Sequence, residues 1–349
     1  MIRIWYNHGY SQTRDALALL KQADHVGLVL VATHASILAP VFLAADEYAV
    51  EPELGGDADQ YVDWCLSFAV DRAIAVFVPQ RGRSAIARRI GDFAAQGVRV
   101  LLAADADMLE VIDDKARLYQ VAAAAGLPTP IAVAVRSLPA FDHALSSILE
   151  QGLEACIKPP RGVFGAGYWR LRDDVSLFEQ LMDPDAREMQ TQIVRQALGE
   201  SGPDTPPLLV MQYLPGQEWS VDCICRDGRL IQGIARRKTG STQVLETRGP
   251  AMTMAARVAE VFSLSNLVNI QLKSSLSEED VPHLLEINPR MSGGCLYAHL
   301  GGLNLPHLQL LNALDRLPDT LPSEVSEERV IGAIAGAVDL TPLLRREHA

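Results

Sequence analysis

Residues 267–294, LVNIQLKSSLSEEDVPHLLEINPRMSGG, hold the densest set of groups capable of chemistry. Read as a strand, the opening run puts Asn269, Gln271 and Lys273 on one face and Ile270 and Leu272 on the other, because side chains alternate along an extended chain. The second apolar run puts Glu286 and Asn288 on one face, and the polar stretch 274–282 between the runs predicts an antiparallel hairpin. Oxygens of Gln271, Glu286 and Asn288 then converge on one side, a donor set suited to a hard divalent cation shared with phosphates. Arg290 follows at the strand end, where its planar fork suits a phosphate or carboxylate. A solvated hairpin face has the same pattern, so two further segments bear on the choice. In ACIKPPRGVFGAGYWRL a strand delivers Lys158, and Gly162, Gly165 and Gly167 follow in a loop whose bare backbone lets amides approach phosphate oxygens. It is not a Walker loop, since no Gly-Lys-Ser/Thr enters a helix, and in isolation it equals an ordinary glycine hairpin. In VMQYLPGQEWSVDCI the backbone of Gln212, Tyr213 and Leu214 could meet a purine edge, and Glu218 could accept from ribose hydroxyls. Alone, that segment is a hairpin with a type II-like turn.

The elements that must position these groups follow from periodicity. Strands are expected at 2–6, 27–32, 73–79 and 98–103, and helices at 13–22, 58–70 and 84–96, an alternation that predicts a mostly parallel sheet with helices on both faces. The first turn, NHGYSQT, lacks the GxGxxG that lets a backbone approach a pyrophosphate, which excludes a dinucleotide domain. A helix is expected over 107–125, then strand 131–135, helix 138–151, strands 154–158 and 168–171, and helix 185–198. The segment 199–207, GESGPDTPP, is the clearest linker. Strands are expected at 208–213, 219–226, 229–236, 267–273 and 283–287, with a helix at 251–263 among them.

At 349 residues the chain has room for about two domains of roughly 150 each. With 48% hydrophobic and 21% charged residues it can bury a sizeable core. Lys and Arg total 31 against 43 Asp and Glu, a net charge of −12 that argues against nucleic acid and anionic membrane as partners while leaving room for a local basic pocket. The cysteines at 65, 156, 223, 225 and 295 form no CxxC or zinc spacing. Their odd number and the strand-like start MIRIWYN point to a reducing cytoplasm. Residues 26–45 carry no Asp, Glu, Lys or Arg, but Gly27, Thr33, His34, Ser36 and Pro40 make them a buried strand feeding a loop rather than a membrane span.

The three segments, in this order, resemble the ATP-grasp family, most closely its carbamoyl-phosphate-synthetase-like branch. The likeness runs over about residues 107–314 and rests on IKPP with its glycines, YLPGQEWSVD, NIQLK and LLEINPR. It implies a mixed α/β and α+β architecture: an N-terminal parallel α/β (pre-ATP-grasp) domain over 1–106, then a two-lobed ATP-grasp domain over 107–349, with a small lobe at about 127–207 and a large lobe at about 208–349. By that resemblance ATP lies between the lobes, Lys115 and Lys158 contact phosphates, and Lys158 also nears the adenine. Gly162, Gly165 and Gly167 fold over the β- and γ-phosphates, Gln212, Tyr213 and Leu214 hold adenine through the backbone, and Glu218 holds the ribose. Gln271, Glu286 and Asn288 ligate Mg²⁺ or Mn²⁺, while Arg290, with Lys158, acts on the γ-phosphate or acyl phosphate. Arg236, Arg237 and Lys238 fall where such enzymes often place anion-binding cations, and Met291 to Gly294 would line the acyl-phosphate pocket.

Two positions depart from the family pattern. Met211 stands where many members carry an acidic residue, and Gln271 replaces the carboxylate many ligases use, although the carbamoyl-phosphate-synthetase branch also uses Gln. The expected reaction is ATP-dependent ligation of a small carboxylate to an amine, less often a thiol, through an acyl phosphate. Positioning and charge neutralisation dominate such chemistry, so no general base is assigned, and His8, His34 and His299 read as structural or exposed. Two alternatives stand beside it: a nucleotide-binding regulatory module without turnover, and single-unit phosphorylation of bicarbonate or carbamate. Homodimers are common in the family.

Overall fold

The computed structural model describes residues 1–9, 11–23, 27–162, 165–202, 204–276, 278, 281–319, 321, 329–334 and 336–346. Val26, Val163 and Phe164 of the glycine loop, Pro203 of the linker, and Ser277, Glu279 and Asp280 of the hairpin turn lie outside them. The chain divides into two compact units, one of Met1–Glu110, Trp219–Gln271 and Ile287–Ala349, the other of Val111–Glu218 and Leu272–Glu286.

The first unit begins with strand β1 (Ile2–Asn7), helix α1 (Ser11–Gln22), β2 (Leu28–His34), β3 (Glu47–Val50), α2 (Ala58–Asp71), β4 (Val76–Val78), α3 (Arg83–Arg88), α4 (Ile90–Ala95) and β5 (Arg99–Val100). The strands form a parallel sheet in the order β3-β2-β1-β4-β5. Alternation along β1 accounts for its two covered faces: Ile4 and Tyr6 join Leu17 and Leu20 of α1, while Trp5 stacks on Phe77 at 3.9 Å and packs against Phe68 of α2. The charge-free stretch after Gly27 is this sheet's β2 and a short 3-10 turn, Pro40–Leu43, and no helix among the described residues is long and apolar enough to cross a membrane. The expected helix at 84–96 is instead α3 and α4, broken at Arg89.

Next come α5 (Ala106–Asp113) and α6 (Lys115–Ala124). The sequence reads as one helix here, but Asp114 takes an extended conformation and its carboxylate accepts from the Ala116 and Arg117 amides, capping α6. The second unit continues with β6 (Ala132–Val135), α7 (Leu138–Leu149), β7 (Ala155–Lys158), β8 (Trp169–Leu171), α8 (Leu177–Met182), β9 (Glu188–Met189), α9 (Thr191–Glu200) and β10 (Leu208–Gln212). Its sheet runs β6-β10-β7-β8-β9 over a core of Phe141, Leu145, Ile148, Ile157 and Val210. The helix expected over 185–198 starts only at Thr191, because Arg187 adopts a left-handed conformation at φ 53° and the chain then runs as β9.

The remaining elements are β11 (Glu218–Arg226), β12 (Arg229–Thr239), β13 (Thr242–Glu246), α10 (Pro250–Val261), β14 (Asn266–Lys273), β15 (His283–Asn288), α11 (Cys295–Leu300), α12 (Leu305–Ala313), β16 (Arg329–Gly332) and α13 (Thr341–Arg346). Their strands form a sheet in the order β15-β14-β11-β12-β13-β16. Cys223 and Cys225 are fully buried on β11, as a packing role requires.

Candidate active site

Within the second unit, α6 presents Lys115 and Tyr119 one turn apart on the same face. Lys115 is buried, and its Nζ donates to the Gly162 carbonyl at 3.2 Å and lies 3.8 Å from Glu286 Oε1. Tyr119 donates its hydroxyl to the Leu285 carbonyl at 2.8 Å and receives the Lys158 ammonium at 3.1 Å. Burial, reinforced by the neighbouring Lys115 charge, pulls Lys158 down to about 8. Burial first, then Cys156 and Glu286, pushes the Tyr119 phenol well above its ordinary range, so it stays a neutral hydrogen-bonding post. Tyr119 escaped the sequence reading, although its spacing from Lys115 was the available signal.

The loop leaving β7 turns on its glycines. Gly165 and Gly167 adopt φ of 65° and 71°, and a Cβ at Gly167 would lie 2.8 Å from the Pro159 ring. The Gly165 carbonyl is held by Arg187 at 2.6 Å. At the end of β10, the Gln212 amide donates to Ile131 and the Tyr213 amide to Glu154, each at 2.8 Å. Tyr213 instead offers its ring, with Arg170 4.3 Å and Lys273 5.2 Å from the centroid. Leu214 is buried, and Glu218 is half-buried at the start of β11.

Within the first unit, Asn288 is buried and its amide nitrogen donates to Asn269 Oδ1 at 3.3 Å, which leaves Asn288 Oδ1 as acceptor for Arg290 at 3.4 Å. Asn269 is 0% exposed, so its face of β14 is interior and not a solvated surface. Gln271 lies two residues further along β14, half-buried. Arg290 and Met291 line a narrow cavity with Tyr6, Val78, Gln80, Leu101 and Gln309. Two of the basic residues at 236–238 of β12 have defined acidic partners. Arg236 is buried against Asp222, and Arg237 pairs with Glu246 at 2.5 Å.

Residues 204–334 match the family model described as "ATP-grasp in the biosynthetic pathway with Ter operon". Among solved structures, the chain aligns with the L-amino acid ligase of Bacillus licheniformis at TM-score 0.63 and 12% identity, covering 91% of this chain and 75% of that one. It aligns with the N5-carboxyaminoimidazole synthetase of Staphylococcus aureus at TM-score 0.67 and 12% identity, covering 94% and 81%. The chain has the ATP-grasp fold. The biotin carboxylase domain dimer of Hydrogenobacter thermophilus 2-oxoglutarate carboxylase, crystallised with MgADP and bicarbonate, shares that fold at TM-score 0.63 and 15% identity, covering 92% and 72%. Carnosine synthase 1 of Gallus gallus is 32% identical over 145 residues, 36% of this chain, and the match spans only 15% of that longer protein.

None of His8, His34 and His299 lies on an element that carries Lys115, Gln271 or Glu286. His8 and His34 stack at 4.6 Å, where strands β1 and β2 end. Burial would raise the nearby Glu51 carboxylate, but hydrogen bonds from His8, Thr33 and Tyr61 hold it below its ordinary value. His299 is exposed on α11.

Proposed function

We propose that this chain is an ATP-dependent ligase that activates a small-molecule carboxylate as an acyl phosphate and passes the acyl group to an amine, or alternatively a thiol, with release of ADP and phosphate. The observation that carries this reading is the charge imbalance around Tyr119. Lys115 and Lys158 bring two ammonium groups near one carboxylate, Glu286, and among the described residues the Lys158 ammonium hydrogen-bonds a neutral hydroxyl. A buried and a half-buried cation short of negative charge call for an anion, and a polyphosphate supplies it.

Gln271, Glu286 and Asn288 would hold Mg²⁺ or Mn²⁺. Their oxygen-only set fits a hard cation, and the tie from Asn288 Nδ2 to Asn269 directs the Asn288 oxygen to the ligand role. No group of three or more His, Cys, Asp or Glu among the described residues competes as a metal centre. When bound, such an ion neutralises phosphate charge and fixes the in-line geometry of transfer.

The chain's own groups would do the rest. Lys115 and Lys158 hold the phosphates, and the backbone of Gly162, Gly165 and Gly167 closes over them. Because the Gln212 and Tyr213 amides are already committed, recognition of the base falls to the Gln212 carbonyl and the Leu214 amide, with the Tyr213 ring alongside. Glu218 accepts from the ribose. Arg290 neutralises the carboxylate as it meets the γ-phosphate, the stage at which repulsion is greatest. The name of one structural relative, L-amino acid ligase, favours an amino acid as one substrate.

The test is ADP release with MgATP and a panel of amino acids, offered singly and in pairs. ADP release that requires an amino acid pair supports ligation. Release with bicarbonate alone would favour the carboxylase-like alternative, and nucleotide binding without turnover on any panel member would favour a regulatory module.

A further inference from the structure

Strands β15, β14, β11, β12 and β13 are consecutive neighbours in one sheet, and each contributes to a single row of polar side chains that is buried up to the half-buried Gln243 on β13. Asn288 donates to Asn269 at 3.3 Å. Asn269 donates to Ser220 Oγ and Asp222 Oδ1, each at 2.9 Å. Arg236 donates through Nε to Asp222 Oδ2 at 2.9 Å and through Nη2 to Ser220 at 2.8 Å. Its other nitrogen reaches Gln243 on β13 at 2.7 Å. Asn269, Ser220, Asp222, Arg236 and Asn288 are all no more than 9% exposed.

The row also leaves the sheet at one point. Arg236 Nη2 donates to Ser292 Oγ at 3.1 Å, and Ser292 Oγ accepts the Gly294 amide at 2.9 Å. A Cβ at Gly294 would lie 2.2 Å from the guanidinium carbon, so a larger residue there would push Arg236 off its present hydrogen bonds. Every nitrogen of this guanidinium is therefore engaged by a protein oxygen, and four of its five N–H groups are spent within the row and the turn.

We infer that Arg236 is a positioning residue, which acts through Asp222, Ser220 and Asn269 to fix the amide of Asn288 and through Ser292 to fix the turn beyond Arg290. The inference rests on the reading of Asn288 as a cation ligand. A planar guanidinium with paired hydrogen bonds holds direction as well as charge, and a lysine ammonium keeps the charge but loses the fork. Partners that orient a metal ligand commonly alter metal affinity ten- to a hundred-fold when removed.

The experiment measures Mn²⁺ binding by electron paramagnetic resonance, with the β,γ-imido analogue of ATP present, for wild type, Arg236→Lys, Asn269→Ser, Ser292→Ala and Glu286→Ala. Melting temperature and metal-free binding of the analogue are followed alongside. The expected result is folded Arg236→Lys and Asn269→Ser variants that bind the analogue normally without metal but lose about ten-fold in Mn²⁺ affinity. Ser292→Ala removes only one partner from Arg236, so it keeps the test alive if the other variants do not fold, and it should weaken Mn²⁺ by a smaller factor. Unchanged Mn²⁺ affinity in the folded row variants, with loss in Glu286→Ala, would overturn the inference alone. Unchanged affinity in Glu286→Ala would overturn the cation-site reading and the inference with it.

Discussion

The buried Arg236 and the pair Lys115 and Lys158, one buried and one half-buried, have opposite electrostatic balances. Arg236 is matched by Asp222 and by neutral oxygens of Ser220, Gln243 and Ser292, so nothing in its surroundings calls for a ligand. Lys115 lies 3.8 Å from the Glu286 carboxylate and Lys158 donates to the Tyr119 hydroxyl, while burial, with the Lys115 charge beside it, lowers the affinity of Lys158 for a proton. The comparison separates scaffold from site. A saturated buried cation holds the fold in place, whereas an unsaturated pair is stabilised when a polyanion arrives.

The sharpest way to break that comparison is to delete each cation in turn. Arg236→Met leaves Asp222 buried and unpaired, and should lower unfolding stability by about 3–5 kcal/mol in denaturant titrations. Lys158→Met should leave the nucleotide-free stability unchanged or raised, since it removes a charge that burial disfavours. The same variant should lose about 100-fold in turnover, or roughly 2.7 kcal/mol of transition-state stabilisation. If the two substitutions destabilise equally, the distinction between scaffold and site fails.

A pH experiment sharpens it further. Lys158 titrates at about 8 in the folded chain, against 10.5 for an ordinary lysine, so between those values the unfolded chain binds more protons than the folded one. Stability therefore rises with pH across that window, and the penalty is fully present below it. Lys158→Met should flatten the rise. Nucleotide binding above pH 8 should take up protons, seen as calorimetric heats that depend on the buffer, because phosphates restore the charge on Lys158. The smallest effect expected is Gly167→Ala, which strains a left-handed position against Pro159 and should cost about 1–3 kcal/mol of local order, measured as weaker nucleotide binding.

Much of the architecture was legible because its signals are local. The β-α alternation of the first hundred residues, the glycines after Lys158 and the paired runs around Gln271 and Glu286 are contiguous in sequence. The break at Asp114 was also locally encoded, since an Asp before Lys-Ala-Arg is an N-cap signal, but the uninterrupted apolar pattern masked it. The polar row was not legible. Ser220, Asp222, Arg236, Asn269 and Asn288 become neighbours only through the strand order β15-β14-β11-β12, and alternation alone put Asn269 on the face opposite Ile270 and Leu272 without showing that it is buried. Strands β3, β13 and β9 were missed for a related reason: they are short, and sheet neighbours rather than their own composition hold them extended.

The central claim is that a substrate carboxylate is phosphorylated, and oxygen transfer reads it most directly. Amino acids labelled with ¹⁸O in the carboxyl group would be incubated with the chain, MgATP and a panel of acceptor amines, and the released phosphate analysed by mass spectrometry. Phosphate carrying one ¹⁸O per ADP formed is the predicted result. ADP formed with unlabelled phosphate only would contradict the acyl-phosphate account.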